Sequence, residues 1–170
     1  MSVSVSLDVS SSVTIRPANV EDLPAILELL HLKAEFDGCP ESLTATPEQL
    51  KQDLFGENVL SYVLLAEVNG SPAGFATYHR IYSTFIAKPG IWLDDLYLKP
   101  QFRSQGIGRS LILKLCEIAQ KMGCGRIDWT VAFGNDPAIA FYKAMGANLM
   151  ESVRLCRLTE EAIAQNLSQY

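Results

Sequence analysis

An α+β fold, with one mixed β-sheet flanked by helices, is predicted by three features of the sequence. Two β-rich stretches meet at Asn69-Gly70, a strong hairpin signal, and a third follows, which gives an antiparallel meander. A glycine-containing loop, Gly106-Ile107-Gly108, then leads from strand to a long helical pattern. Further helical and β-rich segments alternate to the end of the chain, with no repeat and no linker between them.

Taken in order, Val13-Thr14-Ile15-Arg16 reads as a first strand ended by Pro17. Asn19, with Asp22 three residues on, is a capping-box variant. Ile26, Leu29, Leu30 and Lys33 follow at helical spacing and predict a helix over about 20–34. Residues 35–46 read as loop, and Thr46-Pro47-Glu48 opens a second short helix, threonine as its cap and proline in its first turn. Residues 62–68, 72–81 and 91–98 are the three strands of the meander. Leu111, Leu115, Ile118 and Met122 mark the buried stripe of the next helix, which Gly123 ends. A strand over 126–132, a helix over 137–145, a final strand over 150–158 and a short helix capped by Thr159 complete the expectation.

A chain of 170 residues suits one domain, expected over 13–170 behind a disordered tail at 1–12. The serine and valine of that tail have neither the basic start nor the apolar core of a signal peptide. No stretch approaches the roughly 20 apolar residues of a membrane span, so a cytoplasmic protein is expected. Nineteen acidic against fourteen basic residues leave a net charge of -5. That argues against a nucleic-acid partner and is compatible with a cationic substrate. Cysteines 39, 116, 124 and 156 have no CxxC spacing and read as free buried thiols. With only His31 and His79, far apart, no metal site is expected.

The loop Arg103-Ser104-Gln105-Gly106-Ile107-Gly108-Arg109 points to anion binding. A helix N-terminus presents unpaired N–H groups and about half a positive charge, and glycine lets a diphosphate approach the backbone. The two arginines flank the loop and could add charge-assisted contacts. The spacing is neither GxxxxGK[ST] nor GxGxxG, which excludes a Walker loop and a dinucleotide fingerprint.

R-x-x-G-x-G after Asp94-Asp95-Leu96-Tyr97-Leu98-Lys99-Pro100 resembles the acetyl-CoA motif of the GNAT acetyltransferase superfamily. Asn135-Asp136-Pro137-Ala138-Ile139-Ala140-Phe141-Tyr142, continuing to Gly146-Ala147, is similar to the family's N-x-x-A-x-x-F-Y-x-x-x-G-F block, with Ala147 in place of its aromatic. Trp92-Leu93-Asp94-Asp95, Phe141-Tyr142-Lys143 and the opening Ile15-Arg16-Pro17-Ala18 resemble the spermidine/spermine N-acetyltransferase branch, which also holds enzymes acting on thialysine.

The resemblance implies the GNAT fold and direct transfer of acetyl from acetyl-CoA to the primary amine of a small molecule. It implies Tyr142 as general acid, a role a phenol suits because its pKa lies near that of a thiol. Asp94 falls where relatives place a glutamate that acts as base or orders a proton-carrying water. Because neighbouring strand residues alternate, Asp94 and Asp95 are not expected to serve one pocket together. Cofactor contacts are implied for the backbone of Leu96, Tyr97 and Leu98, for Arg103, Ser104, Gln105, Gly106, Ile107, Gly108 and Arg109, and for Asn135, Pro137, Ala138 and Tyr142. Asn135 equally reads as a helix cap. Phe36, Asp37 and Glu151 are implied substrate contacts, alongside Asp94. Val153 stands where the polyamine enzymes carry tryptophan, so the pocket differs from theirs. A homodimer is implied as well. A peptide acceptor, or a silent CoA-binding module, remains the alternative.

Overall fold

Strand β1 (Val13–Pro17) pairs antiparallel with β2 (Tyr62–Val68), Ile15 opposite Ala66. The computed structural model describes residues 12–168, so the expected tail, apart from Ser12, lies outside the described residues. The chain divides between Thr130 and Val131 into two compact units.

Arg16 fastens the start of the first unit. Its guanidinium donates to both Asp22 oxygens, at 2.7 and 2.8 Å, and to both Glu67 oxygens, at 2.6 and 3.2 Å. The Asp22 carboxylate also accepts from the Asn19 N–H at 2.8 Å, completing the capping box. That box caps a single 3-10 turn, Val20–Asp22, and helix α1 (Leu23–Phe36) follows with Pro24 in its first turn. The expected helix therefore begins later than its cap suggested and runs further. Ile26 and Leu29 on α1 pack with Val63, Leu65, Phe75 and Tyr97 into the core of one sheet face. In α2 (Pro47–Phe55), Thr46 and Gln49 form a second capping box, as the Thr-Pro-Glu opening predicts.

Asn69 and Gly70 both adopt positive φ, 51° and 75°, the tight turn whose twist suits a hairpin. It joins β2 to β3 (Ser71–Ser83), which pairs antiparallel with β4 (Lys88–Leu98). Both strands are longer than periodicity alone indicates. Helix α3 (Ile107–Lys121) connects β4 to β5 (Ile127–Asp128), the one parallel neighbour, and sheet order follows chain order among the described residues. Leu64, Ala66, Ala76, Ile91 and Leu93 are buried on the face opposite the α1 core, and α3 packs against β1, β2 and β4. Its buried stripe is Ile107, Leu111, Ile112, Leu115 and Ala119, whereas Ile118 and Met122 are only half-buried.

Two expected strands differ. Of 126–132 only Ile127 and Asp128 pair, opposite Ile91 and Trp92. Beyond them β4 carries an extra residue that bends it, and a β-prone segment without a ladder partner stays irregular. In the second unit, residues 150–158 form no strand, because no partner strand lies beside them among the described residues. Met150, Val153, Leu155 and Leu158 are exposed there. That unit holds α4 (Asp136–Ala144) and α5 (Glu160–Ser168), the latter capped by Thr159 Oγ1, which accepts from the Ala162 N–H at 3.3 Å. All four cysteines are free as expected but none is buried: Cys116 and Cys156 are exposed, and Cys39 and Cys124 are half-buried.

Hydrogen bonds from Arg16, opposed by burial and aided by the Asn19 amide, hold the Asp22 carboxyl below its usual pKa. A depressed carboxylate stabilises the fold fully above the unfolded-state value of about 3.9, and that contribution fades as pH falls through the folded-state value. Asp22→Asn is therefore expected to lower stability at pH 7 by about 1 kcal/mol, with the gap closing below about pH 4, read from urea midpoints. An equal gap at pH 3 and pH 7 would refute this account.

Candidate active site

Between β4 and α3 the chain makes one 3-10 turn, Pro100–Phe102, and then the anion loop. Ser104 and Gly106 take positive φ, 60° and 81°. Gly106 is the N-cap of α3 but supplies no capping side chain, and the first intrahelical bond runs from the Ser110 N–H to the Gly106 carbonyl at 3.0 Å. The amides of Ile107, Gly108 and Arg109 thus precede the helical ladder. A Cβ placed on Gly106 would meet no protein atom within 4 Å, so the space over the helix end is open. Gln105 closes the loop by donating from Nε2 to the Gln101 carbonyl at 2.8 Å. Arg109 is exposed on the first turn. These groups fit a diphosphate: several N–H donors, the positive helix end and no side chain in the way.

The strand leading into this loop has an open edge. β5 accompanies β4 only at Ile91 and Trp92, and from Leu93 to Leu98 no strand lies on that side among the described residues. On the other side Leu96, Tyr97 and Leu98 pair with Ala76, Phe75 and Gly74 of β3. The implied cofactor strand is therefore half of a ladder, able to accept one more extended partner.

The register also overturns the alternation expected for the two aspartates. Thr77 lies opposite Asp95 and Tyr78 opposite Leu93, so Asp94 is the extra residue of a β-bulge. Trp92 lies opposite His79, which shares a face with Thr77 on the regular stretch of β3 between them; Trp92 and Asp95 therefore share the α1 face. Trp92 Nε1 donates to Asp94 Oδ1 at 3.3 Å, which holds Asp94 beside it. Asp94 is exposed, whereas Asp95 is half-buried and bonded to Thr77, accepting from its hydroxyl at 3.2 Å. Burial pushes the Asp95 carboxyl above its usual pKa; Lys33 opposes that and the Asp94 charge adds to it.

The end of α1 closes onto the same face. Lys33 hydrogen-bonds Asp37 one turn on and lies 3.4 Å from Asp95 Oδ1. Phe36, 56% exposed, stands 6.0 Å from the buried Tyr97 ring. The Arg103 guanidinium lies over both rings, 4.5 Å from the Phe36 centroid and 5.5 Å from that of Tyr97, while its Nε donates to the Leu98 carbonyl at 2.9 Å. Arg103 is thus anchored by aromatic faces and by the strand, rather than simply flanking the loop.

Phe36, Asp37, Asp94, Tyr97, Arg103 and the amide loop are brought together in the first unit. Asn135, Pro137, Ala138, Tyr142 and Glu151 lie in the second. There Asn135 Oδ1 accepts from the Ala138 N–H at 3.3 Å, the capping role, with Pro137 in the first turn of α4. Phe141 and Tyr142 are half-buried, their rings 5.2 Å apart and tilted by 54°. Glu151 is exposed in a turn. Sequence reasoning passed over Lys33 and gave Asp95 no role. The i, i+4 spacing of Lys33 and Asp37 was the available signal for one contact; nothing in the sequence announces the bulge that brings Asp95 to the same cation.

The model of the acetyltransferase (GNAT) family matches residues 24–147. The chain is 35% identical to thialysine N-epsilon-acetyltransferase of Sus scrofa over 145 residues, covering 81% of this chain and 85% of that protein. It is 28% identical to L-ornithine N5-acetyltransferase of Arabidopsis thaliana, covering 88% and 85%. An integron cassette protein from the mobile metagenome of V. cholerae superposes with a TM-score of 0.75 at 26% identity, over 92% of this chain and 98% of that one.

Gly106→Val should weaken coenzyme A binding at least about tenfold, because the branched side chain fills the open space above the helix end. Positive φ also strains valine, so a modest drop in melting temperature accompanies the loss. Titration calorimetry and a thermal melt measure the two effects, and an unchanged dissociation constant would remove the loop from the cofactor site.

Proposed function

Because the chain belongs to the GNAT acetyltransferase family and is an N-acetyltransferase, we propose that it transfers the acetyl group of acetyl-CoA to a primary amine of a small molecule, a lysine-, thialysine- or ornithine-like compound. The observation that carries this reading is the open amide cradle at the start of α3, continuous with the unpaired edge of β4. The named activities of the relatives support the acceptor class. The family match runs across the division between the two units, which supports reading 13–170 as one functional domain.

In this reading the amides of Ser104 to Arg109 hold the diphosphate and the open edge at Leu96, Tyr97 and Leu98 holds the pantetheine arm; Asn135, Pro137 and Ala138 are further proposed cofactor contacts. Bound acetyl-CoA supplies an acetyl thioester, the electrophile. Asp94 receives the proton that the ammonium must lose, directly or through one water, since only a neutral amine is a nucleophile. It is exposed and, among the described residues, its one side-chain hydrogen bond is the 3.3 Å bond from Trp92 to Oδ1, which leaves Oδ2 for the proton. Tyr142 gives its phenolic proton to the departing sulfur. Phe36 offers an aromatic face and Glu151 a carboxylate to the acceptor, and Asp37 is a further contact whose charge is already matched by Lys33. The protein acts as a homodimer, a reading supported by the exposed apolar side chains of Met150, Val153, Leu155 and Leu158. Among the described residues no helix is long and apolar enough to cross a membrane.

Thiol release with lysine, thialysine, ornithine, spermidine and a lysine peptide in parallel tests the acceptor class; turnover of the peptide alone would replace it. Tyr142→Phe is expected to lower kcat by about 10²-fold or more with little change in the KM for acetyl-CoA, because the hydroxyl acts in the transition state. Wild-type turnover in that variant would remove Tyr142 from the mechanism.

A further inference from the structure

The acceptor face of the first unit holds three carboxylates, Asp37, Asp94 and Asp95, and two of them are already matched to a cation. The Lys33 ammonium sits between Asp37 and Asp95, its side chain only 19% exposed. Burial opposes its charge, yet the hydrogen bonds and attraction of those two carboxylates outweigh burial and hold its pKa above the ordinary lysine value. Asp95 is further engaged by the Thr77 hydroxyl. Asp94 alone of the three is left to attract an incoming ammonium group.

A diamine or polyamine brings a second ammonium, which needs a carboxylate of its own and meets the Lys33 charge instead. An amino acid acetylated on its side-chain amine brings a carboxylate at the far end. Lys33 has three N–H donors; one goes to Asp37 and Asp95 lies 3.4 Å from the ammonium, which leaves a donor for an anion. Discrimination between two acceptors of equal length then comes from a repulsive element as much as from an attractive one.

We propose that Lys33 determines acceptor specificity, excluding a second ammonium group and favouring an acceptor whose far end is a carboxylate. This rests on the reading that the chain acetylates small amines. It adds a specific residue and a chemical rule to that reading: one ammonium goes to Asp94 and one carboxylate to Lys33.

Lysine and 1,5-diaminopentane differ only by the carboxylate, as do ornithine and 1,4-diaminobutane. We expect the wild-type enzyme to favour each amino acid over its diamine by about tenfold or more in kcat/KM. Lys33→Met should erase that ratio, mainly through KM, and Lys33→Arg should preserve it, both with wild-type affinity for acetyl-CoA. Lys33→Gln, which keeps a donor toward Asp95, serves where the methionine variant folds poorly. In the wild type itself, raising ionic strength should shrink the ratio, because the discrimination is between charges near the surface. A ratio indifferent to both Lys33 and salt, or a wild type that prefers the diamines, overturns the proposal while leaving amine acetylation intact. Turnover of none of the four amines overturns both.

Discussion

One extra residue in β4 governs the arrangement of the first unit. Had the strand kept strict alternation beyond Trp92, Asp95 would lie among the aliphatic side chains of the α3 face, and Tyr97 would leave the α1 core. An unpaired carboxylate buried in such surroundings costs several kcal/mol or is forced to neutralise. The bulge at Asp94 shifts the parity by one position. Leu96 then follows Leu93 onto the α3 face, while Asp95 and Tyr97 join Trp92 on the other. The same bend comes directly after the last residue that β5 pairs, so the strand that turns its carboxylates toward α1 also acquires a free edge. The placement of Asp95 and the free edge of β4 share this stretch of the strand.

The electrostatics built on that bend are economical in charge. Asp95, half-buried and raised in pKa by burial, is kept useful as an anion by Lys33 and Thr77. Lys33 in turn retains its proton because two carboxylates face it. Removing Lys33 would leave Asp95 as an uncompensated charge in a partly dry setting, which is costlier than the pair is favourable. The cluster thus fixes where charge can be added: at Asp94, where exposure keeps the carboxylate solvated, and nowhere deeper.

Much of this fold was legible in the sequence because the determining signals are local. Tyr62–Val68 and its Asn69-Gly70 turn, the Thr46-Gln49 cap and the Gly106 loop each depend on a few neighbouring residues, and each appears where expected. The failures share a different cause. Residues 129–132 and 150–158 are rich in β-branched and apolar side chains, but strand formation needs a partner for every N–H and C=O, and that partner is a fact of tertiary structure. The candidate site divides the same way. Gly106 to Gly108 could be read from the physics of a helix N-terminus, whereas Asp94, Tyr142 and Phe36 were reached only through resemblance. Lys33 and Asp95 were missed as a pair because the 61 intervening positions are bridged by the packing of α1 on β4, not by any spacing rule.

Arg103 shows why donor and acceptor halves of the first unit are not independent. Its guanidinium rests on Phe36 at the end of α1 and on Tyr97 of β4, and its Nε holds the Leu98 carbonyl at the point where β4 gives way to the anion loop. Each cation–π contact contributes on the order of 0.5–1 kcal/mol, and the hydrogen bond to the carbonyl a comparable amount or somewhat more. The sum is modest against the stability of the fold but large against the small displacements that separate a productive geometry from an unproductive one. Phe36 itself is more than half exposed, and Arg103 covers its ring beside Tyr97. A change at either end therefore propagates through this side chain: loosening Phe36 frees the arginine at the start of the anion loop, and moving the loop shifts the Phe36 ring. Arg103 is in this sense a positioning residue that ties the end of α1 to the end of β4 and the anion loop.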